Sequence, residues 1–327
     1  MVEAPLPRTG VVAIGRNEGE RLKRCLASLR DSGYPVVYVD SASTDGSPEV
    51  AAALGAKVHA LDLSRPFTAA RARAEGLAVL EDDHPALDQV FFVDGDCEVE
   101  PGFLAAATAF LDAEPAFAVA CGRRRERFPE ASRYNRLMDR EWDTPVGEAA
   151  ACGGDALFRL AAYHQAGGYD PAMVAHEEPE LCARIRATGA KIARLDIPMT
   201  VHDADIRTLS AYLRRAMRGG HGYVQALARA APGQGANERA LVRRALQWPV
   251  LTVIAGLAAL AWPPALLALL FVMVAAVARD AWRLNPRSPR WRDAGLRFLV
   301  KWAEFLGVAR WARDRLLGRR SGALLYK

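Results

Sequence analysis

The first two hundred residues alternate short apolar runs with segments whose apolar residues recur at helical spacing. The runs that predict extended strands lie at residues 11–14, 36–39, 57–60 and 90–93. After the first strand, Leu22, Leu26 and Leu29 mark one face of a helix, and residues 51–54 and 68–80 also predict helices. Strands that alternate with helices form mostly parallel sheets. The pattern therefore predicts an α/β domain in which a mostly parallel sheet is sandwiched by helices.

Polar side chains follow these predicted strands at the point where each strand ends. Asn17 and Glu18 follow the first strand. Asp40 ends the second strand, and Asp94 and Asp96 follow the fourth. In sheets of this kind the ligand crevice lies outside the carboxyl ends of the strands. These side chains are therefore candidate ligand-binding residues.

The pattern changes after residue 206. Residues 207–229 are basic and compatible with a helix. From Pro249 to Ala278 the chain carries no charged residue, and this run is longer than the roughly 20 residues that span a bilayer. Pro263 and Pro264 lie at its middle, where a double proline breaks or kinks a helix. The run predicts a hydrophobic membrane hairpin, and a buried helix pair in a soluble domain is the alternative.

Positive charge surrounds the hydrophobic run on both sides, at Arg243, Arg244, Arg279, Arg283 and Arg287. Such flanks favour a hairpin with both ends in the cytoplasm over a single crossing. Residues 291–317 then place apolar side chains on one helical face, at Phe298, Leu299, Trp302, Phe305, Leu306 and Ala309. That face is typical of an amphipathic helix in the lipid headgroup plane, and equally of a helix packed on the α/β domain.

Four regions are thus expected along the chain. They are an α/β domain at residues 1–205, basic helices at 206–245, a hydrophobic hairpin at 246–280 and a basic amphipathic tail at 281–327. We expect the protein at the inner membrane of the cell with its α/β domain in the cytoplasm, because the positive flanks favour cytoplasmic ends and the scattered cysteines fit a reduced compartment. We identify no signal peptide before the first strand.

Composition narrows the function classes further. The chain has 327 residues, of which 25% are charged and 51% hydrophobic, and this excludes a disordered chain and a membrane protein of many spans. The net charge of +5 suggests an anionic surface such as lipid. The cationic residues flank apolar helices rather than alternating with exposed aromatic residues, so a nucleic-acid partner is poorly supported. None of the five cysteines has CxxC spacing, which indicates neither a zinc site nor a disulfide framework.

Three acidic and imidazole groups are candidate metal ligands. Asp94 and Asp96 form a DxD motif, and two carboxylates at a strand end can hold Mg²⁺ or Mn²⁺. The motif alone is weak, because most DxD matches are turns. His202 is a candidate third ligand, although a lone histidine is more often a hydrogen-bonded structural residue.

Glu177 and Glu178 begin a predicted helix. Acidic residues there stabilise the positive end of the helix dipole, and one of these carboxylates is equally a candidate general base. Arg71 and Arg73 are candidate diphosphate ligands, because a guanidinium pairs with two oxygens, or else they form a solvated helix face.

A second basic group has two interpretations. It comprises Arg214, Arg215 and Arg218. These side chains either contact a pyrophosphate-linked acceptor or form a stripe that faces anionic lipid, and we favour the stripe.

Taken together, these elements resemble the inverting family-two glycosyltransferases, which have the GT-A nucleotide-sugar transferase fold. The resemblance covers about residues 9–205 and depends on the order and spacing of its motifs. The matching segments are Asn17-Glu18, Asp40 with Ser43-Thr44-Asp45-Gly46, Ala72-Arg73-Ala74-Glu75-Gly76, Asp94-Gly95-Asp96, Gly154–Arg159 with Gly167–Asp170, and Glu177-Glu178. Glu178 stands where the family usually has Asp, and Ala74 where it usually has Asn.

The resemblance implies a role for each matched residue. Asp40 is expected near the nucleobase, Arg73 near the diphosphate, and Asp96, assisted by Asp94, on metal or ribose. Glu178 is expected as the base and His202 as a metal ligand. The segments with Gly154, Asp155 and Tyr169 look like the acceptor side of the family.

The expected function is metal-assisted, inverting transfer of a sugar from a nucleotide-diphosphate donor to an acceptor at the membrane surface. The acceptor is expected to be a lipid-linked saccharide in polysaccharide or cell-envelope glycan synthesis. One alternative is a polyprenyl-phosphate glycosyltransferase, whose phosphate acceptor needs no strong base. A non-enzymatic alternative is a membrane-tethered subunit that binds a nucleotide sugar without turning it over.

Overall fold

The computed structural model describes residues 8–285 and 290–318. The chain divides into two compact units between Asp205 and Ile206. The predicted flanking residue Arg287 and the last part of the predicted basic tail, from residue 319 onward, lie outside the described residues.

The first unit contains one mixed sheet and its helices. The strands in the described residues are β1 Thr9–Gly15, β2 Val36–Asp40, β3 Lys57–Ala60, β4 Gln89–Asp94, β5 Cys97–Val99, β6 Phe117–Glu126, β7 Gly147–Glu148, β8 Ala156–Arg159 and β9 Lys191–His202. The helices are α1 Glu20–Leu29, α2 Ser47–Ala53, α3 Ala69–Asp83, α4 Phe103–Ala113, α5 Arg133–Trp142, α6 Leu160–Gln165 and α7 Glu177–Ala187.

The sheet has the order β3-β2-β1-β4-β8-β6-β9-β5, and β7 pairs with β9. Strands β3, β2, β1 and β4 are mutually parallel, as the strand–helix alternation predicts. Strand β8 is antiparallel to both β4 and β6, whereas β6 and β9 are parallel. The predicted mostly parallel sheet flanked by helices is confirmed.

Apolar burial explains why these segments form the core. Val11, Val12, Phe91 and Phe92 are fully buried, because strands in the middle of a sheet covered on both faces have no polar side. Helix α3 approaches the sheet closely at Gly76, where a β-carbon would lie 2.6 Å from methyl groups of both Val12 and Val39. Only glycine allows this approach, and it fixes the depth at which α3 presents its arginines.

The second unit consists of four helices in the described residues: α8 Leu209–Leu227, α9 Ala236–Ala259, α10 Pro264–Leu284 and α11 Trp291–Leu316. Helices α9 and α10 pack against each other and are joined through residues 260–263, so the hydrophobic run forms a helical hairpin. Helix α9 continues through residues 245 and 246, where the sequence suggested a boundary. Pro249 lies inside α9 without ending it.

Both hairpin helices are long and apolar enough to cross a membrane. In the most apolar 18-residue stretch of each helix, only 17% of α9 and 11% of α10 is buried. A core helix pair of a soluble domain would be mostly buried, so these exposures favour the membrane hairpin over that alternative.

Helix α11 packs on α8 through small residues. A β-carbon on Gly220 would lie 2.0 Å from the carbonyl oxygen of Glu304, and one on Gly307 would lie 2.0 Å from that of Met217. The two backbones therefore touch where the helices cross. The buried face of α11 includes Ala303 and Gly307, while Leu299 and Leu306 of the predicted apolar face are exposed.

Candidate active site

The parallel register brings the predicted polar residues to one edge of the sheet. Gly15 is paired with Asp40, and Ile14 is paired with Asp94, so the ends of β2, β1 and β4 lie side by side. The Gly95 amide donates to the Ile14 carbonyl at 2.7 Å and turns the chain out of β4. The acidic residues of β2 and β4 are thus at the carboxyl end of the sheet, where ligands of such folds bind.

Asn17 and Asp40 organise the first part of this edge. The Asn17 amide donates to Ser43 Oγ at 2.9 Å, and Asn17 Oδ1 accepts from the Thr44 amide at 2.7 Å. Asp40 is buried and accepts from the Ser43 amide at 2.9 Å and from Tyr38 Oη at 3.2 Å. Asn17 has φ 55°, a left-handed conformation that asparagine tolerates better than most residues. The Asn17 contacts therefore join the loop that follows β1 to the loop that follows β2.

Strand pairing brings Asp96 and His202 together from distant parts of the chain. Cys97 of β5 lies opposite His202 of β9, and the Asp203 amide donates to the Asp96 carbonyl. His202 Nε2 lies 3.2 Å from Asp96 Oδ1, and both side chains are largely buried. On the other side, His202 Nδ1 lies 3.9 Å from a carboxylate oxygen of Glu126.

The surroundings of His202 favour the imidazolium form. Burial lowers the pKa of His202, but the charge and hydrogen bond of Asp96 and the nearby Glu126 carboxylate raise it to about 9. The Trp142 ring stands edge-on to the imidazole at a centroid distance of 4.6 Å and covers it. Two carboxylates that hold one proton on an imidazole form an environment in which a divalent cation can replace that proton.

Asp94 belongs to a second, adjoining cluster. Arg73 Nη2 donates to Asp94 Oδ1 at 2.6 Å, and Arg73 Nη1 donates to Glu177 Oε1 at 2.8 Å. Burial raises the pKa of Asp94, and the Arg73 guanidinium opposes that shift. The Arg73 guanidinium lies 5.5 Å from the ring centroid of Tyr169, which is buried beneath it. Arg73, Asp94, Glu177 and Tyr169 are therefore one unit.

Asp155 supports this unit from inside the protein. It is fully buried, and its carboxylate accepts from the Asp94 amide at 3.1 Å and from Thr200 Oγ1 at 2.8 Å. Arg124 Nη2 lies 2.5 Å from Asp155 Oδ2. Burial alone would raise the pKa of Asp155, but Arg124 and Thr200 lower it below its ordinary value. A β-carbon on Gly154 would lie 2.8 Å from Asp94 Oδ2, so glycine leaves room for that carboxylate.

Glu178, the residue after Glu177 on α7, contacts two cysteines. Its Oε1 accepts from the Cys152 amide at 2.6 Å and lies 3.3 Å from Cys182 Sγ. The side chain is buried, with 6% exposure for the residue. Its neighbour Glu177 instead pairs with Arg73. The two candidate catalytic carboxylates therefore have different partners.

Two predicted donor-binding residues have local partners. Arg71 is buried and pairs with Glu75 at 2.6 Å while donating to the carbonyl oxygens of Asp62 and Arg65. It holds the loop before α3 rather than joining the Asp94 cluster. Glu18 is 2.6 Å from Arg21 at the start of α1.

Arg124, Glu126 and Trp142 adjoin the site although the sequence did not single them out. Arg124 and Glu126 come from β6, whose long pairing with β9 places Glu126 opposite His202. The Arg124 guanidinium lies 5.6 Å from the Trp142 ring centroid. The sequence feature that could have indicated them is the change along β6 from apolar residues to three arginines and Glu126.

Comparison with known proteins agrees with this geometry. Residues 11–159 match the family model of glycosyl transferase family 2. A stretch of 71 residues, which is 22% of the chain, is 37% identical to part of a TPR repeat-containing protein of Synechococcus elongatus. The match spans only 18% of that relative's length.

Solved structures show the same fold. A mannosyltransferase from Pyrobaculum calidifontis, in complex with GDP-Man and Mn²⁺, is 21% identical and superposes with a TM-score of 0.65 over 95% of this chain and 88% of its own. S. aureus TarS, residues 1–349, is 15% identical with a TM-score of 0.50 over 96% of this chain and 92% of its own. Residues 11–159 therefore form a glycosyltransferase domain of glycosyl transferase family 2.

Proposed function

We propose that this glycosyltransferase moves a sugar, with inversion, from a nucleotide-diphosphate donor to an acceptor at the membrane surface. The observation that carries the proposal is the close pair of Asp96 and His202 at the carboxyl edge of the sheet, next to the cluster that contains Asp94 and Arg73. One side of the cluster has acidic and imidazole ligands for a cation, and the other has Arg73, whose guanidinium suits a diphosphate.

The residues present fit a divalent cation. Carboxylate oxygens suit Mn²⁺ and Mg²⁺, and an imidazole among the ligands favours Mn²⁺ of the two. Asp96 and His202 would hold the ion with Asp94 assisting, because the Asp96 and His202 donor atoms already lie 3.2 Å apart. A bound ion would neutralise the negative charge that develops on the leaving diphosphate. Glu126, next to the other ring nitrogen, would orient the imidazole.

For the catalytic base we propose Glu178. Glu177 already holds the Arg73 guanidinium at 2.8 Å, and that contact assigns it a positioning role. The Glu178 carboxylate is held in place by the Cys152 amide. A carboxylate held in this way would accept the proton of an acceptor hydroxyl as the sugar is transferred. Glu177 and Arg73 would then position Asp94.

The second unit supports a membrane acceptor. Helices α9 and α10 are apolar and exposed over most of their length. Arginines lie in the first part of α9 and in the last part of α10. We propose that they insert into the inner membrane while the catalytic unit stays in the cytoplasm. The acceptor would then be a lipid-linked saccharide, and the product would enter polysaccharide or cell-envelope glycan synthesis.

A donor panel tests the proposal. Protein purified in detergent is incubated with UDP-, GDP- and dTDP-sugars and membrane lipid extract, with Mn²⁺ or with a chelator, and nucleotide release is followed. We expect metal-dependent release from one donor, which Asp96→Asn abolishes. The matched control is Asp112→Asn, because Asp112 is a surface carboxylate paired with Arg8. Metal-independent release, or equal rates for Asp96→Asn and wild type, would contradict the metal site.

Two further variants test the base. We expect Glu178→Gln to abolish transfer to a hydroxyl acceptor while donor binding persists. If Glu177→Gln abolishes transfer and Glu178→Gln does not, the base is Glu177. If Glu178→Gln keeps its activity with a polyprenyl phosphate as acceptor, the protein is instead a polyprenyl-phosphate glycosyltransferase.

A further inference from the structure

Two cysteines that are distant in the sequence meet next to Glu178. Cys152 lies in the loop before β8, and Cys182 lies on α7, one turn after Glu178. Their sulfur atoms are 3.6 Å apart, and Cys182 Sγ is 3.3 Å from Glu178 Oε1. All three ligand atoms lie within 4.8 Å of one another, and all three residues are buried. The absence of CxxC spacing therefore does not keep sulfur ligands apart in the fold.

The separations match those around a tetrahedral zinc ion. Zinc binds sulfur at about 2.3 Å and carboxylate oxygen at about 2.1 Å, so adjacent ligands are about 3.8 Å apart for two sulfurs and about 3.6 Å for sulfur and oxygen. The observed distances are 3.6 and 3.3 Å. A zinc ion would fit after the ligand atoms move outward by a few tenths of an ångström.

We propose that Cys152, Cys182 and Glu178 form a binding site for a thiophilic divalent cation of the zinc class. Binding exchanges protons for the ion: one Zn²⁺ displaces the two thiol protons, which leave to solvent, and forms bonds to two thiolates and one carboxylate. No oxidant or reductant takes part. A water molecule completes the tetrahedron.

The charges around the cluster suit this exchange. Two thiolates, one carboxylate and Zn²⁺ together carry a charge of −1. Arg194 is largely buried, and its Nη2 lies 3.4 Å from the Cys152 carbonyl oxygen and 3.3 Å from the Ala151 carbonyl oxygen. Its positive charge balances the loaded site. Without the ion, burial keeps both thiols protonated and raises the pKa of each.

Occupation would regulate catalysis, and this step rests on the proposed role of Glu178 as base. The ion takes Glu178 Oε1 as a ligand, and a metal-bound carboxylate is a poor proton acceptor. The proposed catalytic Mn²⁺ would have ligands without sulfur, at Asp96 and His202, so ligand type would direct the two cations to different sites. Zinc would therefore inhibit the enzyme without displacing Mn²⁺.

Cobalt spectroscopy tests the site without using activity. The full chain in detergent, reduced with a phosphine, is titrated with Co²⁺, whose thiolate complexes absorb strongly in the near ultraviolet. We expect one equivalent to produce this band and Zn²⁺ to bleach it. Cys182→Ser should remove the band, and Cys152→Ser should do the same.

The controls separate this site from the catalytic one. Cys97 Sγ lies 3.8 Å from Asp96 Oδ1 and is the other sulfur next to a candidate metal site. Cys97→Ser and Asp96→Asn should both retain the band. A band that is absent from wild type, or that survives Cys182→Ser, would overturn the site. Circular dichroism of each variant shows whether it is folded.

Activity then tests the regulatory step. Each variant is assayed with Mn²⁺ and increasing Zn²⁺, and its rate is compared with its own zinc-free rate. Loss of one thiolate should raise the inhibitory Zn²⁺ concentration by at least the roughly 10–100-fold that loss of an outer partner of a metal ligand costs. If zinc bleaches the band without inhibiting, the regulatory step is wrong and the site stands. If Glu178→Gln stays active, the base assignment fails, and the cobalt band still decides the site.

Discussion

Asp94 illustrates how much of the site depends on single atoms. Its carboxylate is 2.6 Å from Arg73 on one side and 3.9 Å from Arg124 on the other, and its amide is held by Asp155. The buried charges alternate in sign, so each offsets part of the cost of burying its neighbours. The orientation of one carboxylate therefore depends on residues from three separate segments.

Gly154→Ala tests this dependence. The new β-carbon would lie 2.8 Å from Asp94 Oδ2 and 3.2 Å from Arg73 Nη2, so the carboxylate must turn away from its present position. We expect the rate to fall by about 10²-fold, as displacements near 1 Å can cost, with little change in the melting temperature. Steady-state kinetics and thermal unfolding measure the two effects.

The matched control for that substitution is Gly295→Ala. Its β-carbon would meet no atom within 4 Å, and alanine is the better helix former by about 1 kcal/mol. Kinetics of Gly154→Ala that equal those of this control would show that the Asp94 position does not matter for transfer.

At the scale of elements, the sequence anticipated what local periodicity encodes. Strands β1, β2, β3 and β4 and the helices between them follow from apolar spacing and were predicted to within a few residues. The pairing of β5 and β6 with β9 was not predicted, because it joins segments about 70 to 100 residues apart and no local pattern encodes it. That pairing positions His202 against Asp96 and brings in Arg124 and Glu126.

The same reasoning explains the site residues. DxD and the histidine were recognisable as residue types, but their 3.2 Å approach arises from strand register. Arg71 has the residue type expected of a diphosphate ligand, yet its carbonyl partners come from the loop before α3. The side on which Glu178 lies, next to Cys152, depends on a loop whose course no periodicity reports.

The crossing of α8 and α11 has its own prediction. Gly220→Ala places a β-carbon 2.0 Å from a backbone carbonyl oxygen that cannot rotate away, so the helices must separate. Overpacking of this kind costs about 1–3 kcal/mol, and we expect a lower melting temperature in detergent. The control is Gly219→Ala, whose nearest atom, the Tyr223 hydroxyl oxygen at 3.2 Å, belongs to a movable side chain. Equal melting temperatures for the two variants would refute a backbone contact.

His221 lies at the same crossing, and we expect it to destabilise the helical unit in acid. The ring is fully buried, and within the described residues neither nitrogen has a hydrogen-bond partner. Burial lowers its pKa to about 4, opposed by Asp314 and assisted by Arg310 and Arg229. The ordinary pKa of histidine is 6.5, so as the pH falls from 6.5 towards 4 the unfolded chain binds a proton at His221 that the folded protein does not bind. Stability is therefore lost across that window, by about 3 kcal/mol at most.

Comparison with a non-titrating side chain isolates this effect. Unfolding of wild type and His221→Gln is followed by circular dichroism in detergent between pH 4 and 7.5. From pH 6.5 to pH 4 the melting temperature of wild type should fall relative to that of His221→Gln. Above pH 6.5 the difference between the two melting temperatures should stay constant. A difference that is flat across the whole range would mean that the histidine titrates normally or is accessible to water.

At the scale of the whole molecule, the two units differ in how they satisfy their apolar residues. The first unit buries most of its large apolar side chains around the sheet, whereas α9 and α10 leave many of theirs exposed, including Leu257, Leu260, Leu267 and Phe271. Exposed apolar surface on this scale needs a covering phase. The length of each helix, the absence of charge from Pro249 to Ala278 and the arginines on both sides of that run agree with the proposed membrane hairpin.

Charged substitutions in the hairpin provide the decisive comparison. Leu267 and Phe271 lie one turn apart on α10 and are 69% and 74% exposed. Lysine near the centre of a membrane span costs about 3 kcal/mol, so the double change Leu267→Lys with Phe271→Lys should release much of the protein from membranes in alkaline carbonate. The control adds the same charge at exposed leucines outside the hairpin, by Leu63→Lys and Leu316→Lys, and should remain in the pellet. Wild type that is soluble without detergent would contradict the membrane hairpin and require another cover for these helices.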